Sequence, residues 1–170
     1  MSPSRICQTL HEEHQATVAF VERLDALLGK YARRYPDRTD AAVAGVLREL
    51  PTVLDAELNR HFDFEETHLF SLLASVGDAA IGAHLTEEHE TLRALGKRVL
   101  ALGAEARAAG FDDARWPEFR AAAADLCGQL LMHVQKEEMA LLPLLDETLD
   151  SQADAALYDI YAGNAGEIRP

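Results

Sequence analysis

Residues 61–73 read HFDFEETHLFSLL, and residues 133–145 read HVQKEEMALLPLL. Six of the thirteen positions are identical, and both stretches place a histidine four residues before a glutamate. On an α-helix, residues i and i+4 lie about 40° apart around the axis and one turn apart along it. His61 and Glu65 therefore project together, as do His133 and Glu137. Leu54, Leu58 and Leu72 share the first face, and Leu130, Leu141 and Leu144 share the second, so both pairs are expected to point into a core. An ionised carboxylate on an inward apolar face is costly unless it is paired or bound to a metal. A single HxxxE is a weak signal, because exposed helices carry many such pairs. Two copies with matched apolar flanks constrain the chain far more.

The pattern extends upstream. LHEEHQ at 10–15 precedes the first HxxxE by about fifty residues, and LTEEHE at 85–90 precedes the second by nearly as many. Each half thus reads EEH and then HxxxE, as expected for two copies of one helical hairpin. Apolar residues recur at helical spacing through Leu10, His14, Val21 and Leu28. They do so again through Leu47, Leu54, His61 and Leu72, through Ile81, His89, Leu95 and Leu102, and through Phe119, Leu126, His133 and Leu144. Four helices are expected. The first ends near Arg34, before Pro36. The second runs from a cap at Thr39 or Asp40 to about Ser75, with Pro51 kinking or splitting it. The third runs from a cap at Asp78 to Gly110. The fourth opens with Pro117 and is kinked near Pro143. Ser151 is expected to cap a short fifth helix ending near Tyr161, followed by a loose tail, GNAGEIRP. Short connections favour antiparallel neighbours. The expected fold is all-α: an up-down-up-down antiparallel four-helix bundle with a short C-terminal helix. It forms one domain over 1–170, with the core at 6–148 and the helix and tail at 149–170.

Packed face to face, two such hairpins bring together His14, His61, Glu65, His89, His133 and Glu137. Imidazole suits iron, zinc, copper and nickel, and a carboxylate can bridge two ions. Four terminal nitrogens and two bridging carboxylates suggest a two-metal site with an open position on each ion. Iron is the first choice, with manganese or zinc also suited. His68 shares the face of His61, but Ala140 stands at its counterpart, and a polar lining role is favoured for it over an added ligand. His84 lies about 140° from His89 and is expected to face elsewhere, with His11 at the bundle mouth. The acids Glu12, Glu13, Glu66, Glu87, Glu88 and Glu138 read mainly as solvated helix faces, with one or two orienting a ligand imidazole.

Composition closes off other classes. The formal net charge of −13 repels phosphate backbones, so no nucleic-acid partner is expected. No stretch approaches the ~18 apolar residues of a membrane span, and the N-terminus has no apolar signal core. Cys7 and Cys127 are isolated and are expected as reduced thiols in a cytoplasmic protein. No Ser–His–Asp pattern or glycine-rich phosphate loop is present. A metal-free interaction module, with the histidines hydrogen-bonded in the core, is the competing reading.

EEH at His14, HFDFEETHLF at His61 and Glu65, EEHE at His89 and HVQKEEMALLP at His133 and Glu137 resemble the hemerythrin-like family of HHE cation-binding domains. The likeness covers about residues 6–148. It implies a non-haem di-iron centre in a four-helix bundle, with Glu65 and Glu137 bridging and the four histidines terminal. It also implies small partners: oxygen, nitric oxide or peroxide. Oxygen-carrying members have a further histidine one turn before the position of His89, where this chain has Leu85. The four-His, two-Glu set is more similar to members tied to nitrosative and oxidative stress, including those that repair iron–sulfur centres. Such repair proteins usually carry an extra cysteine-bearing domain, for which this sequence offers no room. The likeness leaves binding or sensing and turnover of peroxide or nitric oxide both open, along with the oligomeric state.

Overall fold

A computed structural model describes residues 4–37 and 39–163. The described residues form five helices and no strand. Helix α1 spans Arg5–Lys30. Helix α2 runs without a break from Ala41 to Ser75; within it, Ala56–His61 and Glu65–Leu69 are π-helical turns. Helix α3 spans Ala80–Ala109. Helix α4 runs from Arg115 to Thr148 and includes the π-helical turn Glu137–Leu141. Helix α5 spans Ser151–Tyr161. The residues after 163, where the sequence suggests a loose tail, lie outside the described residues.

Chain reversals follow local chemistry. Ser4 caps α1 by accepting from the Cys7 amide, and Asp40 caps α2 by accepting from Ala42 and Val43. At the end of α2, Gly77 takes φ 97°, and the Asp78 amide reaches back to the Leu73 carbonyl. That left-handed residue is cheap only for glycine. The Asp78 side chain caps nothing: α3 begins after Ala79 with no side-chain cap, and the Asp78 amide closes the preceding turn. Asp150, not Ser151, caps α5 through the Gln152 and Ala153 amides.

Pro51 does not split α2. Its missing N–H frees the Leu47 carbonyl, which accepts instead from the Arg107 guanidinium on α3 at 3.3 Å. The π-helical turn that follows also has a carbonyl taken from outside, since Arg93 Nε donates to the Leu58 carbonyl at 2.9 Å. Pro143 likewise follows a π-helical turn and does not end α4. Extra residues in such turns change which side chains face inward.

The helices close a ring in which α1, α2, α3 and α4 each pack on the next and α4 packs on α1. Contacts that run in opposite directions along each pair show that all four neighbours are antiparallel. Between α1 and α4, Cys7 meets Leu142, His14 meets Glu138, and Arg120 meets the Leu28 carbonyl. Helix α5 folds back on the start of α1, where Asp154 accepts from the Arg5 and Ile6 amides. Two apolar clusters fill the bundle. A large one includes Leu24, Leu50, Phe119 and Leu126, and a smaller one includes Ile6, Leu69, Leu73 and Leu145. In α1 and α3 the buried histidine lies between them in chain order, and in α2 and α4 His61, Glu65, His133 and Glu137 lie where the two meet.

Helix α3 reaches α2 unusually closely. Gly82, Gly96 and Gly103 lie on one stripe with His89 at seven-residue spacing. A Cβ on Gly96 would stand 2.1 Å from Leu58 Cδ1, and one on Gly82 would stand 2.8 Å from Phe70 Cβ. That approach lets the His89 ring stack flat on Phe62, with centroids 3.7 Å apart. Gly82→Ala is expected to destabilise the protein by about 1–3 kcal/mol, because Phe70 Cβ, fixed to the backbone, cannot swing away from the new methyl. Gly128→Ala, at an α4 position with nothing within 4 Å of the new methyl, is expected to stabilise it by about 0.5–1 kcal/mol. Urea unfolding of both variants checks the contrast.

Candidate metal centre

His14 on α1, His61 and Glu65 on α2, His89 on α3, and His133 and Glu137 on α4 meet at the bundle axis. None is more than 1% exposed. Both glutamates begin a π-helical turn, and His61 ends one. The Nε2 atoms of His14 and His61 stand 3.2 Å apart, and those of His89 and His133 stand 3.1 Å apart.

The two carboxylates divide their oxygens between these imidazole pairs. Glu65 turns Oε1 to His61 Nε2 at 3.3 Å and Oε2 to His89 Nε2 at 3.4 Å. Glu137 turns Oε2 to His14 Nε2 at 3.1 Å and Oε1 to His133 Nε2 at 2.8 Å. Two groups of four donors result: His14, His61, Glu65 and Glu137, and then His89, His133, Glu65 and Glu137. The donors within each group lie within 4.8 Å of one another.

The outward Nδ1 atoms explain why Nε2 faces in. His61 Nδ1 meets Glu13 at 3.1 Å, and His89 Nδ1 meets Glu66 at 2.7 Å. His133 Nδ1 meets Glu88 at 2.9 Å, and His14 Nδ1 meets Glu138 at 2.6 Å. Each helix lends one carboxylate to the imidazole of the next, so the four pairs run around the bundle. An Nδ1–H donated outward leaves the Nε2 lone pair pointing to the axis. Each outer carboxylate is steadied in turn: Glu13 by Arg60 and Tyr161, Glu66 by Arg93, Glu88 by Lys136, and Glu138 by His11. Sequence reasoning anticipated one or two such partners and left them unassigned; the structure has four. Glu12 and Glu87 are exposed, as expected of solvated faces.

The remaining histidines stand apart from the six. His68 is half-buried beside Phe64 and belongs to neither donor group. His84 is exposed and pairs with Glu88. His11 lies at the surface against Glu138. Leu85, at the position one turn before His89, is buried in the smaller apolar cluster.

The donor set fits a pair of cations. All four oxygens of Glu65 and Glu137 are buried, and none accepts a hydrogen bond. Imidazole nitrogens are close to them, but their alignment suits lone pairs converging on a shared ion, not N–H donation. Donors about 2.1 Å from one ion and roughly at right angles stand about 3 Å apart, which is the spacing seen here.

Without cations the same groups hold protons. Burial works against protonation of His61, but Glu65 and Glu13 outweigh it and raise its pKa well above the ordinary value. For His89, burial is again overcome, by Glu137 and Glu65, and the pKa reaches about 9. Burial would raise Glu137, but His133, His14 and His89 hold it well below the usual carboxylate range. The stability contributed by His89 is complete below its unfolded value of about 6.5 and is lost as pH rises through about 9. The Glu137 contribution is present above the carboxylate range and is lost as pH falls beneath it. Metal loading requires neutral imidazoles and must displace these protons. The metal-free protein is therefore expected to melt at progressively lower temperature from about pH 7 to about 9. Loading near pH 7 is expected to release protons, read with an indicator dye. Loading without proton release would contradict the account.

The hemerythrin HHE cation binding domain model matches residues 5–145, and a second match covers 83–163. The second match starts in α3, so the second hairpin also answers to that domain, in keeping with the duplicated sequence. No curated protein sequence matches the chain. With the match spanning most of its length and ending only after Glu137, the chain belongs to the hemerythrin HHE cation-binding domain family.

Proposed function

We propose that the protein holds two non-haem iron ions through His14, His61, Glu65, His89, His133 and Glu137, and uses them to bind or sense oxygen, nitric oxide or peroxide. The observation that carries this reading is the division of both buried carboxylates between two imidazole pairs, with no hydrogen bond to any of their four oxygens. Zinc or manganese fits the same donors, and the outer carboxylates make the histidines stronger ligands for any of them.

The protein's own contribution is binding, orientation and exclusion of water. Four protein donors per ion leave at least one position for a small ligand, and the bound ions would supply electrons and Lewis acidity there. Leu58, Leu69, Leu85, Leu130 and Leu141 are all buried around the donors. They suit small molecules and disfavour larger ones. Leu85 supplies no donor, so each donor group would offer an ion two nitrogens and two oxygens. That equal sharing favours turnover of peroxide or nitric oxide as the second reading over simple oxygen carriage. No helix among the described residues is long and apolar enough to cross a membrane. The two free, buried cysteines fit a reducing cytoplasm.

Protein purified without a metal-affinity tag, then loaded anaerobically with ferrous iron, is expected to carry about two irons per chain. Admission of oxygen or nitric oxide is expected to give a new visible absorption. Glu65→Ala removes one donor from each group and is expected to lower metal content to one ion or fewer. A wild-type protein that retains no transition metal would overturn the proposal in favour of a metal-free module.

A further inference from the structure

One buried acid is absent from both donor groups. Glu57 on α2 is 2% exposed, and its Oε1 has no hydrogen-bond partner. Its Oε2 accepts from the Thr17 hydroxyl on α1 at 2.7 Å. It forms no ion pair among the described residues. Glu57 precedes His61 by four residues, and Thr17 follows His14 by three. The Thr17–Glu57 pair therefore bridges α1 and α2 one turn, about 5.4 Å, from the level where His14 meets His61.

Nothing in the second half answers to it. The matching residues are Leu92, 1% exposed, and Gln129, which faces solvent. The difference coincides with the π-helical turn Ala56–His61, since α4 is regular helix through the matching residues up to Lys136. The π turn carries Glu57 inward where Gln129 turns outward. A buried carboxylate oxygen with no partner is expensive, and an apolar residue of similar size would remove that cost. The fold spends a helical irregularity to place this group beside one half of the centre only.

We propose that Thr17 and Glu57 form a one-sided acceptor station that determines ligand specificity at the ion held by His14 and His61. Thr17 fixes one carboxylate oxygen, and the free Oε1 accepts a hydrogen bond, directly or through one water, from a ligand that carries its own hydrogen. Hydrogen peroxide is such a ligand. Azide has no hydrogen to give and meets the same carboxylate unfavourably. The ion held by His89 and His133, with Leu92 at the matching place, offers no such partner. The proposal rests on the two-cation reading above.

The test compares iron-loaded wild-type protein with Glu57→Leu and Glu57→Gln, using azide and hydrogen peroxide in rapid-mixing optical titrations. Glu57→Leu is expected to keep the metal content, because no donor is touched. It is expected to raise the melting temperature of the metal-free protein by about 2–4 °C or more, because an unpaired buried carboxylate is gone. It is expected to shift the peroxide-to-azide affinity ratio towards azide about tenfold or more. Glu57→Gln keeps an acceptor oxygen and is expected to retain most of the wild-type ratio. A ratio unchanged in Glu57→Leu at full metal content would overturn the station while leaving the metal centre standing. A Leu variant that melts lower and loses metal would mark Glu57 as a structural residue and overturn it equally. A wild-type chain that binds no metal would remove both proposals together.

Discussion

The centre of this bundle is organised by the cost of two buried carboxylates. Glu65 and Glu137 are fully buried between apolar clusters, and neither finds a hydrogen-bond donor for either oxygen. Burying an ionised carboxylate without a partner costs several kcal/mol. That cost must be met by positive charge, either protons on the four imidazoles or metal ions at the same place. Every nearby feature serves this requirement. The imidazoles converge from four helices, and an outer carboxylate turns each Nδ1–H away from the axis. A π-helical turn begins at each glutamate and resets the phase of the residues that follow it.

The outer carboxylates add an electrostatic layer of opposite sense. Glu13, Glu66, Glu88 and Glu138 strengthen the imidazoles as donors, and basic side chains then temper them. Glu13 shows the result: burial would raise its pKa, but His61, Tyr161 and Arg60 bring it down to about 2. The centre is therefore a set of alternating shells around the axis, carboxylate, imidazole, carboxylate, cation. A cation at the middle completes the alternation. This gives a physical reason why the EE doublets matter: the second member of each, Glu13, Glu66, Glu88 or Glu138, orients the imidazole on the next helix.

Much of this was legible in the sequence. The duplicated HxxxE and EEH elements give the four helices, their antiparallel order and the six buried polar residues, because helical period and apolar flanks fix which side chains share a face. Three things escaped. The role of the outer acids depends on inter-helix register, which periodicity within one helix cannot supply. The close approach of α3 depends on Gly82, Gly96 and Gly103, whose seven-residue stripe with His89 is visible only once His89 is treated as a packing residue. Glu57 was hidden by the repeat itself. Comparing the halves pairs it with Gln129, a surface residue, although its place four residues before His61 repeats the spacing that singled out Glu65.

The π-helical turns explain why a near-duplicate is not a symmetric object. Those at Glu65–Leu69 and Glu137–Leu141 match one another, and each opens with a carboxylate shared between the donor groups. The turn at Ala56–His61 has no counterpart at the matching place in α4. The smaller apolar cluster, with Leu10 and Leu85 at matching places, meets both halves alike. A single added residue in the helical repeat shifts the inward face, and the shift brings Glu57 towards the His14–His61 side, whereas Gln129 at the matching place faces solvent. Two halves that agree in their donors thus differ in what surrounds those donors. Donor identity governs which cations such a centre can hold, whereas the surroundings govern what can reach it. In a fold whose six donors are so tightly constrained by burial, the surroundings are where one member can depart from another without losing the centre.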